Sequence, residues 1–169
     1  TEDAVASWII GKSLNIATTS PGYKLFQSAG DVAVFRVADS TIPTSASCTA
    51  TGTTDLDGTW HFVCGTWDGK ADVAIVYVDG VAEETSTGCS VGITSSSPRS
   101  FQIGESANDL QDFLGLIAYG VHYDSVKTVS EIAQLMWAPG TNAGSIQGLW
   151  PLWGDSPEVD LVQNNDGTV

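Results

Sequence analysis

Residues 60–83 read WHFVCGTWDGKADVAIVYVDGVAE, and this stretch decides the fold class. Its apolar segments are 60–67 and 73–78, and each is followed by a turn signal, Asp68-Gly69 or Asp79-Gly80. Asp-Gly is a preferred two-residue hairpin turn, because both central residues must adopt positive φ angles. The segment 73–78 is apolar on both faces, which is typical of a central strand. The stretch therefore predicts three antiparallel strands joined by two tight turns.

Further strands are predicted on both sides of this stretch. Short segments rich in β-branched and aromatic residues alternate with Gly, Asp, Ser and Pro, which is the pattern of strands divided by turns. These segments are 5–10, 23–27, 32–37, 42–51, 101–103, 113–123 and 146–152. Many short strands with regular turn signals favour a sandwich or a barrel over βαβ units.

One helix is predicted at 129–136, where apolar residues recur at helical spacing. Thr128 or Ser130 is its candidate N-cap, and Pro139-Gly140 follows the last periodic residue and ends it. The chain has 169 residues, which is a normal size for one domain. We therefore expect one folded domain over 1–153 and a polar C-terminal tail over 154–169.

The charge of the chain restricts its partners. Twenty acidic residues stand against six basic ones, which gives a formal net charge of −14. Such a negative field repels phosphate groups, so binding to nucleic acid or to an anionic membrane surface is disfavoured. No segment approaches the roughly 18 consecutive apolar residues of a transmembrane helix, so no membrane insertion is predicted. Cations, cationic proteins and neutral glycans remain as partner classes.

Three cysteines leave two interpretations open. Cys48, Cys64 and Cys89 allow one disulfide and a free thiol in an oxidising compartment. Alternatively all three are buried thiols, since a free cysteine packs like a small apolar residue. Cys64 lies within the apolar segment 60–67, which favours a buried thiol at that position.

Six short motifs follow one another in a fixed order along the chain. They are YKLFQ at 23–27, GTWHFV at 58–63, YVDG at 77–80, QIG at 102–104, FLGLIAY at 113–119 and VSEIAQL at 129–135. This succession resembles the laminin-G-like branch of the concanavalin A-like superfamily over residues 5–150. The resemblance implies an all-β fold, a two-sheet antiparallel jelly-roll sandwich with one short helix near 129–137.

The resemblance also implies a function, which is a non-enzymatic recognition module for glycan or protein on an extracellular or virion surface. The ending GLWPLW at 148–153 is similar to the end of laminin-G-like modules in bacteriophage and environmental viral proteins. The alternative is therefore a viral structural protein, such as a capsid decoration, head fibre or tail appendage. It would be held by protein contacts in a homo-oligomer or a larger virion assembly. Fold alone does not decide between these functions.

A rim calcium ion is the cofactor that the resemblance implies. Calcium takes about six to eight oxygen ligands, and the segment 105–112 is rich in carboxylates and amides. Its candidate ligands are Asn108, Asp109 and Asp112. The family often carries an Asp after the Gly-x-Ile motif that reads GLI here, whereas this chain has Ala118. That departure counts against calcium, and a solvated acidic loop is the alternative.

Tryptophans and one aspartate are the candidate binding residues. Exposed indole rings stack on sugar faces, and Trp67, Trp150 and Trp153 are the candidates, with Asp68 beside the first. The alternative is packing, because a tryptophan buries a large apolar area. Trp8 and Trp60 are predicted to lie in the core, and a subunit interface is the further alternative for Trp150 and Trp153.

A glycoside hydrolase is the third hypothesis, and the sequence argues against it. Such enzymes need two carboxylates that flank the scissile bond. The nearest match to the family's Glu-x-Asp-x-x-Glu motif is Glu158-Val-Asp160-Leu-Val-Gln163, which ends in Gln and follows Pro157 in the tail. The two histidines, His61 and His122, are predicted to be structural. No catalytic residue is therefore predicted.

Overall fold

The computed structural model describes residues 6–16, 20–39, 46–91, 99–106, 111–141, 145–152 and 160–162. The chain divides into two compact units, unit 1 at residues 1–114 and unit 2 at residues 115–169. The expected division into a domain at 1–153 and a tail at 154–169 stays a prediction.

The described part of unit 1 forms two antiparallel sheets. Its strands are β1 (Ser7–Lys12), β2 (Gly22–Gln27), β3 (Val32–Ala38), β4 (Ser47–Asp55), β5 (Val63–Asp68), β6 (Val73–Val78), β7 (Val81–Thr87) and β8 (Gln102–Ile103). The five-stranded sheet has the order β4-β3-β2-β1-β8, and the three-stranded sheet has the order β5-β6-β7. The expected all-β fold with antiparallel sheets is therefore confirmed.

The two sheets pack face to face through a shared apolar core. Alternate residues of a strand point to one face, so Ala74, Val76 and Val78 of β6 all project into this core. They belong to one buried cluster with Leu25 and Phe35 of the other sheet. β6 is hydrogen-bonded on both sides, which confirms the prediction of a central strand.

One of the two predicted turns is confirmed and the other is wrong. Asp79 and Gly80 have φ angles of 51° and 79° and directly join β6 to β7, as a two-residue turn requires. β5 and β6 are instead separated by four residues, 69–72. The Asp68 carboxylate accepts hydrogen bonds from the N–H groups of Lys70 at 2.9 Å and Ala71 at 3.0 Å. These side-chain bonds stabilise a longer loop in place of the tight turn.

Several predicted strands differ in extent from the observed ones, and three of them show the reason. β4 lies at Ser47–Asp55, shifted toward the C-terminus from the predicted 42–51, of which residues 42–45 are outside the described residues. β5 begins at Val63 rather than at 60. Of the predicted strand 113–123, Gly120–Tyr123 alone is paired with another strand in the described part of the chain. Pairing rather than composition sets these ends, because a strand needs a partner to satisfy its backbone groups.

A disulfide bond joins the two sheets at one edge of the sandwich. It connects Cys48 of β4 to Cys89, which follows β7, with a Cα–Cα distance of 5.2 Å. Cys64 is the free cysteine, and burial raises the pKa of its thiol to about 12. The interpretation with one disulfide and one free thiol is therefore confirmed, and Cys64 is partly buried.

Unit 2 contains a strand pair and a capped helix in its described part. β9 (Gly120–Tyr123) pairs antiparallel with β10 (Ile146–Trp150), and α1 (Val129–Leu135) lies between them in the chain. Thr128 is the N-cap, and its side chain and that of Glu131 form a reciprocal capping box. The short helix is therefore confirmed. In the part of the chain that the structure describes, no helix has the length and apolar character needed to cross a membrane.

Removal of the disulfide should destabilise unit 1. The bond closes a loop with a sequence separation of 41 residues, and loop closure of that size stabilises a fold by about 4 kcal/mol. We expect the double variant Cys48→Ala/Cys89→Ala to lose most of this free energy of unfolding in urea denaturation. Cys64→Ala is the matched control and should keep the bond, as intact mass before and after reduction will show. An unreduced wild type with three alkylatable thiols would contradict the assignment.

Candidate functional site

At the end of the three-stranded sheet where β5 begins, the residues that precede β5 lie next to the turn between β6 and β7. Asp79 donates its backbone N–H to the carbonyl oxygen of Phe62 at 2.8 Å. Phe62 donates its own N–H to Oδ1 of Asp79 at 2.9 Å. These two bonds extend the contact between the strands past the end of β5, so residues 59–62 have a fixed place beside the turn.

Three polar side chains form a continuous hydrogen-bonded array at this end. Nδ1 of His61 lies 2.9 Å from Oδ2 of Asp79, and Nε2 of His61 lies 2.8 Å from Oγ1 of Thr59. The His61 side chain is 16% exposed and the Asp79 side chain 48% exposed. We call this the Thr59–His61–Asp79 array. It holds one imidazole between a carboxylate and a hydroxyl, with the carboxylate open to solvent.

The chemistry of the array fixes its hydrogens while His61 is neutral. A carboxylate can accept hydrogen bonds but not donate them, so the proton of a neutral imidazole lies on Nδ1, facing Asp79. Nε2 is then an acceptor, and the Thr59 hydroxyl must donate to it. In this form, the lone pairs of Thr59 and Asp79 that are not used within the array remain as hydrogen-bond acceptors.

Trp60 lies between Thr59 and His61 in the chain and is 66% exposed. Its prediction as a core residue is therefore wrong, whereas Trp8 is fully buried as predicted. The physical reason is that β5 begins at Val63, so the Trp60 side chain lies beyond the end of the sheet. We define the Trp60 site as Thr59, Trp60, His61 and Asp79. Trp60 is linked to the array only through its chain neighbours Thr59 and His61, so the exposed indole and the hydrogen-bonded array are two adjoining parts of this segment.

The strand that follows Asp79 is anchored to the opposite sheet by two glutamates. The β6–β7 register shifts at Val76/Tyr77, which leaves Glu83 as the extra residue of a β-bulge. Glu83 Oε2 accepts hydrogen bonds from the N–H groups of Thr53 at 2.7 Å and Thr54 at 3.3 Å, and Oε1 accepts from the Thr54 hydroxyl. These contacts tie β7 to the edge strand β4.

The contact between β4 and β7 requires a bulge and a glycine on β4 as well. The β3–β4 register also shifts, between Val32 and Val34, so the residues opposite this shift leave the regular ladder. A Cβ atom at Gly52 would lie 2.4 Å from Oε2 of Glu83, which is closer than atoms can approach. Glu84 adds a further bond by accepting the N–H of Thr51. Carboxylates thus cover backbone donors of an edge strand that would otherwise be open to pairing.

The environment of Glu83 lowers the pKa of its carboxyl. Burial raises this pKa, and the charge of Asp79 raises it slightly further. The hydrogen bonds from the Thr54 side chain and from the N–H groups of Thr53 and Thr54 outweigh both effects. The ionised carboxylate is therefore the form that the fold stabilises.

The predicted binding residues occupy separate places. Trp67 is partly buried and packs against the core of unit 1, and Asp68 is engaged in the loop after β5. Trp150 is buried in unit 2 on β10. Trp153 lies outside the described residues. Within unit 1 the structure places Trp67 and Asp68 at the other end of β5 from the Trp60 site, and a binding role of these four residues stays a prediction.

The predicted calcium ligands are described only in part. Asn108 and Asp109 lie outside the described residues, and Asp112 is exposed. The described residues contain no group of three or more His, Cys, Asp or Glu side chains placed to hold a metal ion. Calcium binding by Asn108, Asp109 and Asp112 stays a prediction.

The nearest match to a hydrolase motif is also described only in part. Glu158 and Gln163 lie outside the described residues, and Asp160 is buried. Oδ1 of Asp160 accepts hydrogen bonds from the N–H groups of Leu149 at 3.0 Å and Val162 at 2.9 Å. This carboxylate therefore stabilises the chain around β10.

A buried lysine on the five-stranded sheet is a second polar centre. Lys24 is fully buried, and its ammonium donates to the Ser20 carbonyl oxygen at 2.9 Å and to Ser13 Oγ at 3.3 Å. Burial lowers the pKa of Lys24 to about 7, and the nearby charge of Arg36 also lowers it. Because no ligand could reach this group without opening the fold, it orders the loop that follows β1.

Sequence reasoning missed the Trp60 site, although a signal for it was present. Thr59 and His61 are two residues apart, and side chains at that spacing share one face of an extended segment. The predicted Asp79-Gly80 turn ends the neighbouring strand, which would have allowed an acidic group to be placed at the same edge. Treating Trp60 as core hid this combination.

A family model described as the concanavalin A-like lectin/glucanases superfamily, Laminin_G_3, matches residues 4–133. The match covers more than half of the chain and contains the whole Trp60 site. No curated protein and no solved structure matches the chain. The family model is therefore the comparison that bears on function.

Acid should weaken unit 1 through Glu83. A carboxyl whose pKa is lower in the folded state stabilises the fold above its unfolded pKa, about 4.3 for Glu, and this stabilisation is lost as the pH falls through the folded pKa. We expect Glu83→Gln to cost about 1 kcal/mol at neutral pH, because a neutral amide replaces the ionised acceptor of the hydrogen bonds from Thr53 and Thr54. The deficit should shrink between about pH 5 and pH 3 in urea denaturation. A deficit that is the same at all pH values would contradict this role.

Proposed function

The chain belongs to the concanavalin A-like lectin/glucanases superfamily, and we propose that it is a non-enzymatic recognition module that binds an uncharged glycan at the Trp60 site. The single observation that carries this proposal is the 66% exposure of Trp60, whose chain neighbours Thr59 and His61 belong to the Thr59–His61–Asp79 array. A large exposed indole loses favourable burial, so an indole in a segment with ordered polar groups fits a contact surface.

Each part of the site has a defined role in this proposal. The face of the Trp60 indole packs on the apolar C–H face of a sugar ring, which supplies contact area with little loss of side-chain entropy. Asp79 and Thr59 accept hydrogen bonds from sugar hydroxyls. An ionised acceptor makes a stronger bond than a neutral one, so Asp79 is the main polar contact.

The charge of the chain supports an uncharged ligand. The net charge of −14 and the exposed Asp79 carboxylate repel anionic glycans. A neutral sugar escapes this repulsion and supplies the hydroxyl donors that the acceptors need.

The state of the carboxylates supports a role without catalysis. A glycosidase needs one carboxyl group free to donate a proton and a second free to act as nucleophile or base. Asp79 is held by His61 and Phe62, and both oxygens of Glu83 accept hydrogen bonds from β4. These partners favour binding over proton transfer at this end of the sandwich.

An extracellular location accords with the chemistry of the chain. A disulfide persists in oxidising compartments and is rare in reducing ones, and Cys48–Cys89 is such a bond. We propose a surface location on this ground, and the virion surface is one such place.

Assembly into a larger structure is the second candidate function, favoured by a separate observation in unit 2. Trp137 follows α1 and is 82% exposed. It lines a shallow groove whose residues are uncharged, namely Ser130, Ala133, Gln134, Trp137, Ala138 and Thr141. In so acidic a chain, an uncharged face with an exposed tryptophan is suited to a protein contact.

Replacing Trp60 should weaken glycan recognition without unfolding the protein. We expect Trp60→Ala to weaken binding at least about tenfold, since it removes the stacking surface while the core is untouched. Trp137→Ala is the matched control, because it removes an even more exposed tryptophan from the other unit. The readout is a glycan array followed by titration calorimetry on the hits. Equal binding by Trp60→Ala and wild type, or an array without hits, would exclude the proposal.

The same pair of variants tests assembly. If the helix face of unit 2 holds a copy of this chain, Trp137→Ala should lower the sedimentation coefficient of the wild-type oligomer, and Trp60→Ala should leave it unchanged. A wild-type protein that sediments as a monomer at all concentrations would remove homo-oligomeric assembly through this face.

A further inference from the structure

We infer that the Trp60 site releases its sugar in mild acid, because protonation of His61 reverses the hydrogen-bonding polarity of the Thr59–His61–Asp79 array. The inference rests on the proposed function, since it concerns the regulation of that same site. It follows from the position of one imidazole between a hydroxyl and a half-exposed carboxylate.

The neutral form of the array is the binding form. Nδ1–H of His61 donates to Asp79, and the Thr59 hydroxyl donates to Nε2. Two lone-pair sides of Asp79 and the lone pairs of Thr59 remain for the ligand. The carboxylate keeps its full negative charge, so a sugar hydroxyl that donates to it makes a charge-assisted bond.

Protonation of His61 changes what the array offers to a ligand at two positions, the Thr59 hydroxyl and the Asp79 carboxylate. With both ring nitrogens as donors, Nε2–H donates to Thr59 Oγ1, and the Thr59 hydroxyl hydrogen must turn outward. At the other end, the imidazolium forms an ion pair with Asp79 and neutralises the charge that attracted the ligand. A sugar that donates to both groups therefore loses a charge-assisted bond and meets a donor where it had an acceptor.

Among the described residues, the charged groups that the contacts place on the segments next to His61 are acidic. Asp79 contacts the ring directly from the β6–β7 turn, and Glu83 of β7 lies close enough for Asp79 to raise its pKa. Asp55 and Asp57 belong to the turn that precedes Thr59. Glu83 is hydrogen-bonded to Thr53 and Thr54. Asp79 is therefore the carboxylate whose interactions change when His61 changes its charge.

An imidazole changes its charge within the pH range that a surface protein meets. Histidine as a residue type changes its charge between about pH 5 and pH 8. The switch therefore acts on His61 and leaves the stacking surface of Trp60 intact.

The experiment compares the affinity for a glycan hit from the array at about pH 7.5 and about pH 5.5. We expect the dissociation constant of the wild type to rise about tenfold on acidification, because one charge-assisted hydrogen bond is lost. His61→Gln cannot gain a proton and should show the same dissociation constant at both pH values, whatever that constant is. His122→Gln is the matched control, since it removes the other histidine and should keep the tenfold change. Thermal melts at both pH values confirm that each variant is folded.

The outcomes separate this inference from the proposed function. A wild type that binds equally at both pH values, with Trp60→Ala still inactive, overturns the switch and leaves glycan binding in place. A pH effect that persists in His61→Gln and disappears in His122→Gln assigns it to the other histidine and overturns the inference as well. A wild type that binds no glycan at either pH removes the proposed function and the switch together.

Discussion

The attachment of β7 to β4 is the constraint on which the Trp60 site depends. β7 is an edge strand of the small sheet, and it is fixed to the edge of the large sheet by Glu83 and by the disulfide to Cys89. Asp79 lies in the turn that leads into β7. Because β7 is held at both of these points, the turn has one position, and the carboxylate of Asp79 meets His61 at a defined distance. The closure of the sandwich edge thus also orients the polar groups of the site.

The same contacts explain how an acidic chain uses its carboxylates. The carboxylates of Glu83 and Glu84 accept hydrogen bonds from backbone N–H groups of β4, which protects this strand edge from pairing with another chain. The carboxylate of Asp79 is hydrogen-bonded to His61 and Phe62, and its remaining acceptor capacity is open to solvent. The carboxylates of Glu83 and Asp79 differ in this remaining capacity. It follows from the place of each residue in the strands and not from its residue type.

The sequence predicted those features that depend on local chemistry. The apolar segment 73–78 predicted the central strand β6. The Asp79-Gly80 pair predicted a tight turn, and Thr128 was a predicted helix cap. It could not predict features set by pairing between distant segments. The bulge at Glu83 and the partner of Cys48 depend on how β4 and β7 meet across the sandwich. Trp60 was placed in the core because its segment is apolar, but the last strand pair formed at Val63, and this left the indole outside.

The most direct test of the account is the position of a bound glycan on the six tryptophans of the chain. Each indole N–H gives its own signal in a two-dimensional ¹H–¹⁵N spectrum, and single Trp→Phe variants assign them. On titration with a glycan that binds, the account predicts a saturable shift of the Trp60 signal, with the signal of the buried Trp8 unmoved. A saturable shift at Trp67 or Trp150 with the Trp60 signal unchanged would contradict it.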